Sequence, residues 1–143
     1  MTDDPFHLQR FLDEQVAMYE RVVAELRAGR KTSHWMWFIF PQIEGLGFSS
    51  TSRFFAIHSI EEARAYLRHP VLGLRLHECA ELVIRIDGKS ARQIFGSPDE
   101  LKFRSCMTLF SKADPIDPVF QRALKKYFDG VDDPRTLERL RLH

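Results

Sequence analysis

The sequence predicts an all-α fold: a single domain over residues 1–143, with about seven helices around an aromatic-rich core. Three observations predict it. Apolar residues recur at three-to-four spacing along much of the chain, the period of a helix that buries one face. Helix-start signals punctuate it, with Asp-Pro at 4–5, 117–118 and 133–134, Ser-Pro at 97–98, and a Ser-x-x-Glu box at 59–62. Finally, 12 phenylalanines in 143 residues suggest a core of large rings with few β-branched residues to fill the gaps.

The elements follow in order. Asp3 or Asp4 caps a first helix with Pro5 at its first position, where a missing N–H costs nothing. Leu8, Phe11, Leu12, Tyr19, Val22, Val23 and Leu26 form its apolar stripe, and Arg10 falls on the polar face. Gly29 is its natural end. Thr32 or Ser33 caps a short buried helix from His34 to about Ile39, stopped by Pro41. Its Trp, Phe and Ile residues also favour a strand, but no other segment clearly supplies a pairing partner. Residues 43–52 read as a loop with Gly45, Gly47 and four hydroxyl residues, ending in a single turn around 53–57.

Ser59 opens a helix to about Arg68, and Pro70 restarts one through Ile86 whose apolar residues nearly encircle the axis. That is the pattern of an interior helix, and this segment is the candidate central one. Its tail, 82–86, has a short strand as its alternative. Further helices are expected from Ser90 to Phe95, from Pro98 to about Ser111, after Asp117-Pro118, and after Asp133-Pro134. No internal repeat, low-complexity segment or long linker interrupts them.

The formal charge is +1. Nucleic-acid binding draws most of its affinity from neutralised phosphates, so no nucleic-acid partner is expected. The longest apolar run, Trp35–Phe40, is far short of a membrane span. Two cysteines make no disulfide framework, and the acidic start shows no export signal. A cytoplasmic protein with reduced thiols is the expectation.

No motif assigns a reaction or a cofactor. His77-Glu78-Cys79-Ala80-Glu81 begins like a zinc-protease helix but has Glu81 where the second histidine belongs. No metal site is expected, and a polar stripe with Glu81 paired to Arg85 is the plain reading. Cys106 sits among Phe103, Met107 and Phe110 as a packing residue. Lys102 and Ser105 lie one helical turn apart, a spacing common on helix faces.

The residues that suggest a site are His34, Trp37 and Gln42. Aromatic walls with a few polar groups make small-molecule pockets. The Gly45–Arg53 loop adds flexible backbone N–H groups and an arginine, with Lys102 and Arg104 as further cations for a negative ligand. Against this stands the plain alternative that His34 and Gln42 satisfy buried backbone groups.

Four runs carry a family resemblance: His-Trp-Met-Trp-Phe-Ile-Phe-Pro-Gln at 34–42, Ala-Tyr-Leu-Arg-His-Pro-Val-Leu-Gly at 65–73, the stretch from Ile94 to Phe110, and Phe-Asp-Gly-Val-Asp-Asp-Pro-Arg-Thr-Leu at 128–137. They resemble a bacterial family, number 1810 among the domains of unknown function, over about residues 6–140. The resemblance implies a compact, mainly helical fold and no activity. Members are sometimes labelled "calpastatin", after a disordered, repeat-containing protease inhibitor, a poor match for an aromatic-rich, repeat-free chain. Two functional expectations follow from the residues. One is binding, with turnover left open, of a small anionic or nucleotide-like ligand in a cleft lined by the 34–42 segment. The other is a non-enzymatic protein-interaction module with an exposed apolar patch.

Overall fold

The computed structural model describes residues 3–141. Among these the chain forms nine helices: α1 (Gln9–Arg27), α2 (Met36–Ile39), α3 (Ser50–Phe54), α4 (Ile60–Arg68), α5 (Leu72–Ile84), α6 (Ala91–Phe95), α7 (Asp99–Ala113), α8 (Val119–Phe128) and α9 (Pro134–Arg141). The all-α class holds, with a few more helices than the seven expected. No strand forms among the described residues, and 82–84 ends α5 as helix. A single isolated parallel bridge joins Ile43 to Ile57.

Several helix starts differ from expectation, each for a visible reason. Pro5 does not begin α1. The helix starts at Gln9, and the Asp4 carboxylate reaches forward to accept the N–H groups of Leu8 and Gln9. Neither Thr32 nor Ser33 caps α2. Instead the Glu25 carboxylate, from α1, accepts the N–H groups of Thr32 and Ser33 and the indole N–H of Trp35. The turn expected at 53–57 lies earlier, as α3, because Ser49 caps it by accepting the Ser52 N–H. Ser59 caps α4 and Ser90 caps α6 in a full capping box with Gln93. Gly29 ends α1 with φ +80°.

The central helix is α7, which packs on α4, α6, α8 and α9. The segment expected in that role, α5, also packs on four helices, α1, α2, α4 and α8, but exposed Leu74 and Glu78 interrupt its buried face. In α7 the run from Ser105 to Ser111 is buried without a break. Its hydroxyl residues disguise an interior helix in the sequence. Thr108 Oγ1 donates to the carbonyl of Arg104 at 2.9 Å, and Ser111 Oγ to that of Thr108 at 2.8 Å. Back-bonding of this kind lets Ser and Thr enter a core without an orphaned hydroxyl. Asp133 then ties α9 to α7, its N–H donating to Thr108 Oγ1 and its carboxylate accepting from the hydroxyls of Ser105 and Thr136.

The core is a lattice of rings. Phe103 lies 4.8 Å from Phe95, stacked, and 4.9 Å from Phe40, edge-on. Tyr66 links Phe11 and Phe110. Such pairs add about 0.5–1.5 kcal/mol each beyond the area they bury. Cys79 and Cys106 are unpaired and buried, and burial pushes both thiols up, Cys79 to about 12.

Candidate functional site

The bridge between Ile43 and Ile57 organises the site. Ile57 N–H donates to the Gln42 carbonyl and Glu44 N–H to that of Ile57, both at 2.8 Å. These bonds lay the exit of α2 beside the segment that follows α3. Between them lies a cavity of about 300 Å³, lined by Trp37, Gln42, Phe48, Arg53, Phe55 and His58 among others. Apolar rings form its wall, and polar side chains stand at its edge. It falls at the lower end of the size range of small-molecule pockets, about 300–1,000 Å³.

Two elements from far along the chain hold this shape. Behind it, Arg10 is 4% exposed, not on the polar face of α1 where the periodicity puts it. Its guanidinium donates to the carbonyls of Phe6 and His7 at 2.7 Å, to those of Phe54 and Ala56 at 2.8 Å, and to the Glu62 carboxylate at 2.8 Å. It therefore pins the 54–56 backbone from the inside while Arg53 and His58 stay exposed. On the opposite rim, α9 grips the 44–46 loop. Arg139 pairs with the Glu44 carboxylate at 2.6 Å and Arg135 donates to the Leu46 carbonyl at 3.3 Å. Gly45, at φ +91°, leaves the space the Arg139 guanidinium fills, since a Cβ there would stand 2.5 Å from Arg139 Nε. Gly47 likewise makes room for Ser52, whose Oγ would be 2.6 Å from an added Cβ.

Of the residues proposed from sequence, Trp37, Gln42 and Arg53 come together at the cavity. The other three do not line it. His34 is exposed, outside the lining, because Glu25 draws the chain at Thr32–Trp35 onto α1. Lys102 is held by Asp99 at 3.3 Å and stands 5.0 Å over the ring of Trp37, bracing the wall from outside. Arg104 is spent on the carbonyls of Val131 and Asp132 at the far side of α7. Sequence reading missed Phe48, Phe55 and His58. The 42–57 pairing that gathers them is made by backbone groups and leaves no side-chain signal.

The electrostatics of the site are uneven. Among the described residues, neither the Arg53 guanidinium nor the His58 imidazole has a hydrogen-bond or ion-pair partner. Among the described residues the Trp37 indole N–H is also buried without a partner. Cys106 and the zinc-like run lie elsewhere. His77 meets Asp117 at 3.4 Å, and Glu81 pairs with Arg122 at 2.8 Å, not with Arg85. Among the described residues no group of three or more His, Cys, Asp or Glu is placed to hold a metal ion. Nor is any of their helices long and apolar enough to cross a membrane.

Comparison with known proteins places the chain in a family without assigning the site a role. No curated protein matches it. Among solved structures it is similar to the conserved hypothetical protein Rv1873 from Mycobacterium tuberculosis, with 51% identity and a TM-score of 0.96 over 98% of this chain and 100% of that one. The family model described as "Protein of unknown function (DUF1810)" matches residues 5–140. A match over nearly the whole length, on a fold shared with a close relative, shows that this chain belongs to that family of proteins of unknown function.

Proposed function

We propose that the protein binds a small anionic, nucleotide-like ligand in the cavity between the exit of α2 and the α3 segment. One observation carries this reading: an unneutralised arginine, Arg53, stands with His58 at the edge of an aromatic-walled cavity. Surface arginines usually cost little to leave free. Here, however, the backbone beneath Arg53 is pinned by a buried, fully engaged Arg10. A guanidinium presented on fixed backbone suits a phosphate or carboxylate, whose oxygens match its planar fork. The rings of Trp37, Phe48 and Phe55 would take the apolar part of the ligand. The two buried free thiols support our placing of the protein in the reducing cytoplasm.

The test is a thermal-shift screen with inorganic phosphate, nucleotides and other phosphorylated metabolites. A ligand at a hundred times its Kd adds about 2.7 kcal/mol to stability. The expected result is a shift with one such compound that Arg53→Ala removes. A panel without any shift, or a shift that Arg53→Ala leaves intact, would sink the proposal. A second reading, a non-enzymatic interaction module, is favoured by Phe48 and Phe54, which are 76% and 52% exposed. A null screen together with loss of a bound protein in Phe48→Ser would favour that reading.

A further inference from the structure

Arg53 and His58 do not border the cavity alone. They also line an open groove of about 510 Å³ on its other side, together with His7, Arg10, Phe54 and Glu62. We infer that cavity and groove form one two-part site, which takes the flat head of a nucleotide in the cavity and its phosphates in the groove, across Arg53 and His58 toward His7. This rests on the cavity being a binding site, as proposed above.

The size of the cavity supports the division. About 300 Å³ accommodates a ring system, and a charged tail longer than one group has to leave it. The way out with the matching charge is the groove. Within it Arg10 and Glu62 neutralise each other at 2.8 Å. The side chains that remain are Arg53, His58 and His7, and the acid near His7, Asp4, is occupied by the N–H groups of Leu8 and Gln9. Backbone carbonyls would repel a phosphate, yet those of Phe6, His7, Phe54 and Ala56 are all engaged by the Arg10 guanidinium. His7 holds φ +52° in doing so, in the left-handed region that few residues other than glycine adopt. Its ring meets that of Phe54 edge-on, with centroids 6.2 Å apart, which sets it on the groove wall. Buried Arg10 thus removes the groove's negative edges, while exposed Arg53 keeps its charge, and the rings of His58 and His7 their hydrogen-bonding nitrogens, for a ligand.

Titration calorimetry with adenosine, inorganic pyrophosphate and ADP tests this on the full chain. Head and tail alone bind weakly, and ADP binds at least about tenfold more tightly than either, because joining them makes the second contact intramolecular. His7→Gly, which fits the positive φ, weakens pyrophosphate and ADP by about fivefold and leaves adenosine unchanged. Phe48→Ala does the reverse, weakening adenosine and ADP by about tenfold and sparing pyrophosphate. Melting temperatures within a few degrees of the parent exclude misfolding as the cause. If ADP binds no more tightly than adenosine, or if His7→Gly leaves ADP affinity intact while Phe48→Ala lowers it, the two-part site is wrong and the cavity reading stands. If none of the three compounds binds, the two-part site is wrong, and the cavity reading falls with it only when the wider thermal-shift panel is silent too.

Discussion

Behind α1 and at the rim of the cavity, this protein treats its polar groups in opposite ways. Glu25 gathers three donors onto one carboxylate oxygen and Arg10 meets five acceptors with one guanidinium. Both side chains are nearly closed to solvent, at 9% and 4% exposure. Arg53 and His58, next to the backbone that Arg10 holds, are exposed, and their side chains meet no hydrogen-bond or ion-pair partner among the described residues. The lesson is about cost. A buried charge has to be matched almost completely to be tolerated. An exposed one can be left free at little expense, and only there is charge available for a ligand.

The largest effect separating the two regions is on stability. Glu25→Ala leaves the N–H groups of Thr32 and Ser33 and the Trp35 indole without their acceptor. The expected loss is about 2–4 kcal/mol in urea unfolding, with Trp35 fluorescence shifting as the ring gains solvent. A loss under about 0.5 kcal/mol would show that this matched seam is not what holds the turn.

The same carboxylate gives a smaller, pH-dependent effect. Burial alone would raise its pKa, but the hydrogen bonds from Ser33, Thr32 and Trp35 outweigh burial and hold it at about 2. Because the folded value lies below that of a free glutamate, about 4.3, the stability it contributes is complete above that pH. It is lost as pH falls from about 4.3 toward 2. Thermal melts across that window should fall more steeply for the parent than for Glu25→Gln, which has no charge to lose. Parallel profiles would remove Glu25 from the account.

The smallest effect belongs to the rim. Arg53→Ala should change unfolding free energy by less than about 0.5 kcal/mol, since no hydrogen bond or ion pair of its side chain to the described residues is lost. A drop of 2 kcal/mol in the same urea titration would make Arg53 a structural residue like Arg10 and erase the contrast.

How much of this could be read along the chain follows the same divide. The helices at 60–68, 91–95 and 134–141 begin where Ser59, Ser90 and Asp133 announce them, because a cap acts within one turn of its own residue. Glu25 fastening the turn before α2 acts across 7 to 10 residues, and Arg10 turning inward reaches Phe54, Ala56 and Glu62 across 44 to 52, so periodicity placed Arg10 on the wrong face of α1. The site shows the same pattern. Trp37, Gln42 and Arg53 were legible as an aromatic stretch followed by a glycine-and-hydroxyl loop. His58 became visible only through the bridge between Ile43 and Ile57, and Arg104 was lost to the carbonyls of Val131 and Asp132.

By itself, then, the sequence determined the all-α class, the ring-rich core and the stretch beside which a cavity would open. These depend on composition, spacing and local capping, all of them short-range. Which helix became central, and which charges were spent and which left free, was decided by the tertiary structure. Ser105, Thr108 and Ser111 look polar until their hydroxyls find backbone and Asp133 partners inside α7. Arg10 and Arg53 are the same residue type until one meets four carbonyls and a carboxylate and the other meets none. The physical reason is that the cost of burying a polar group depends on the partners it finds, and those partners are brought together by folding.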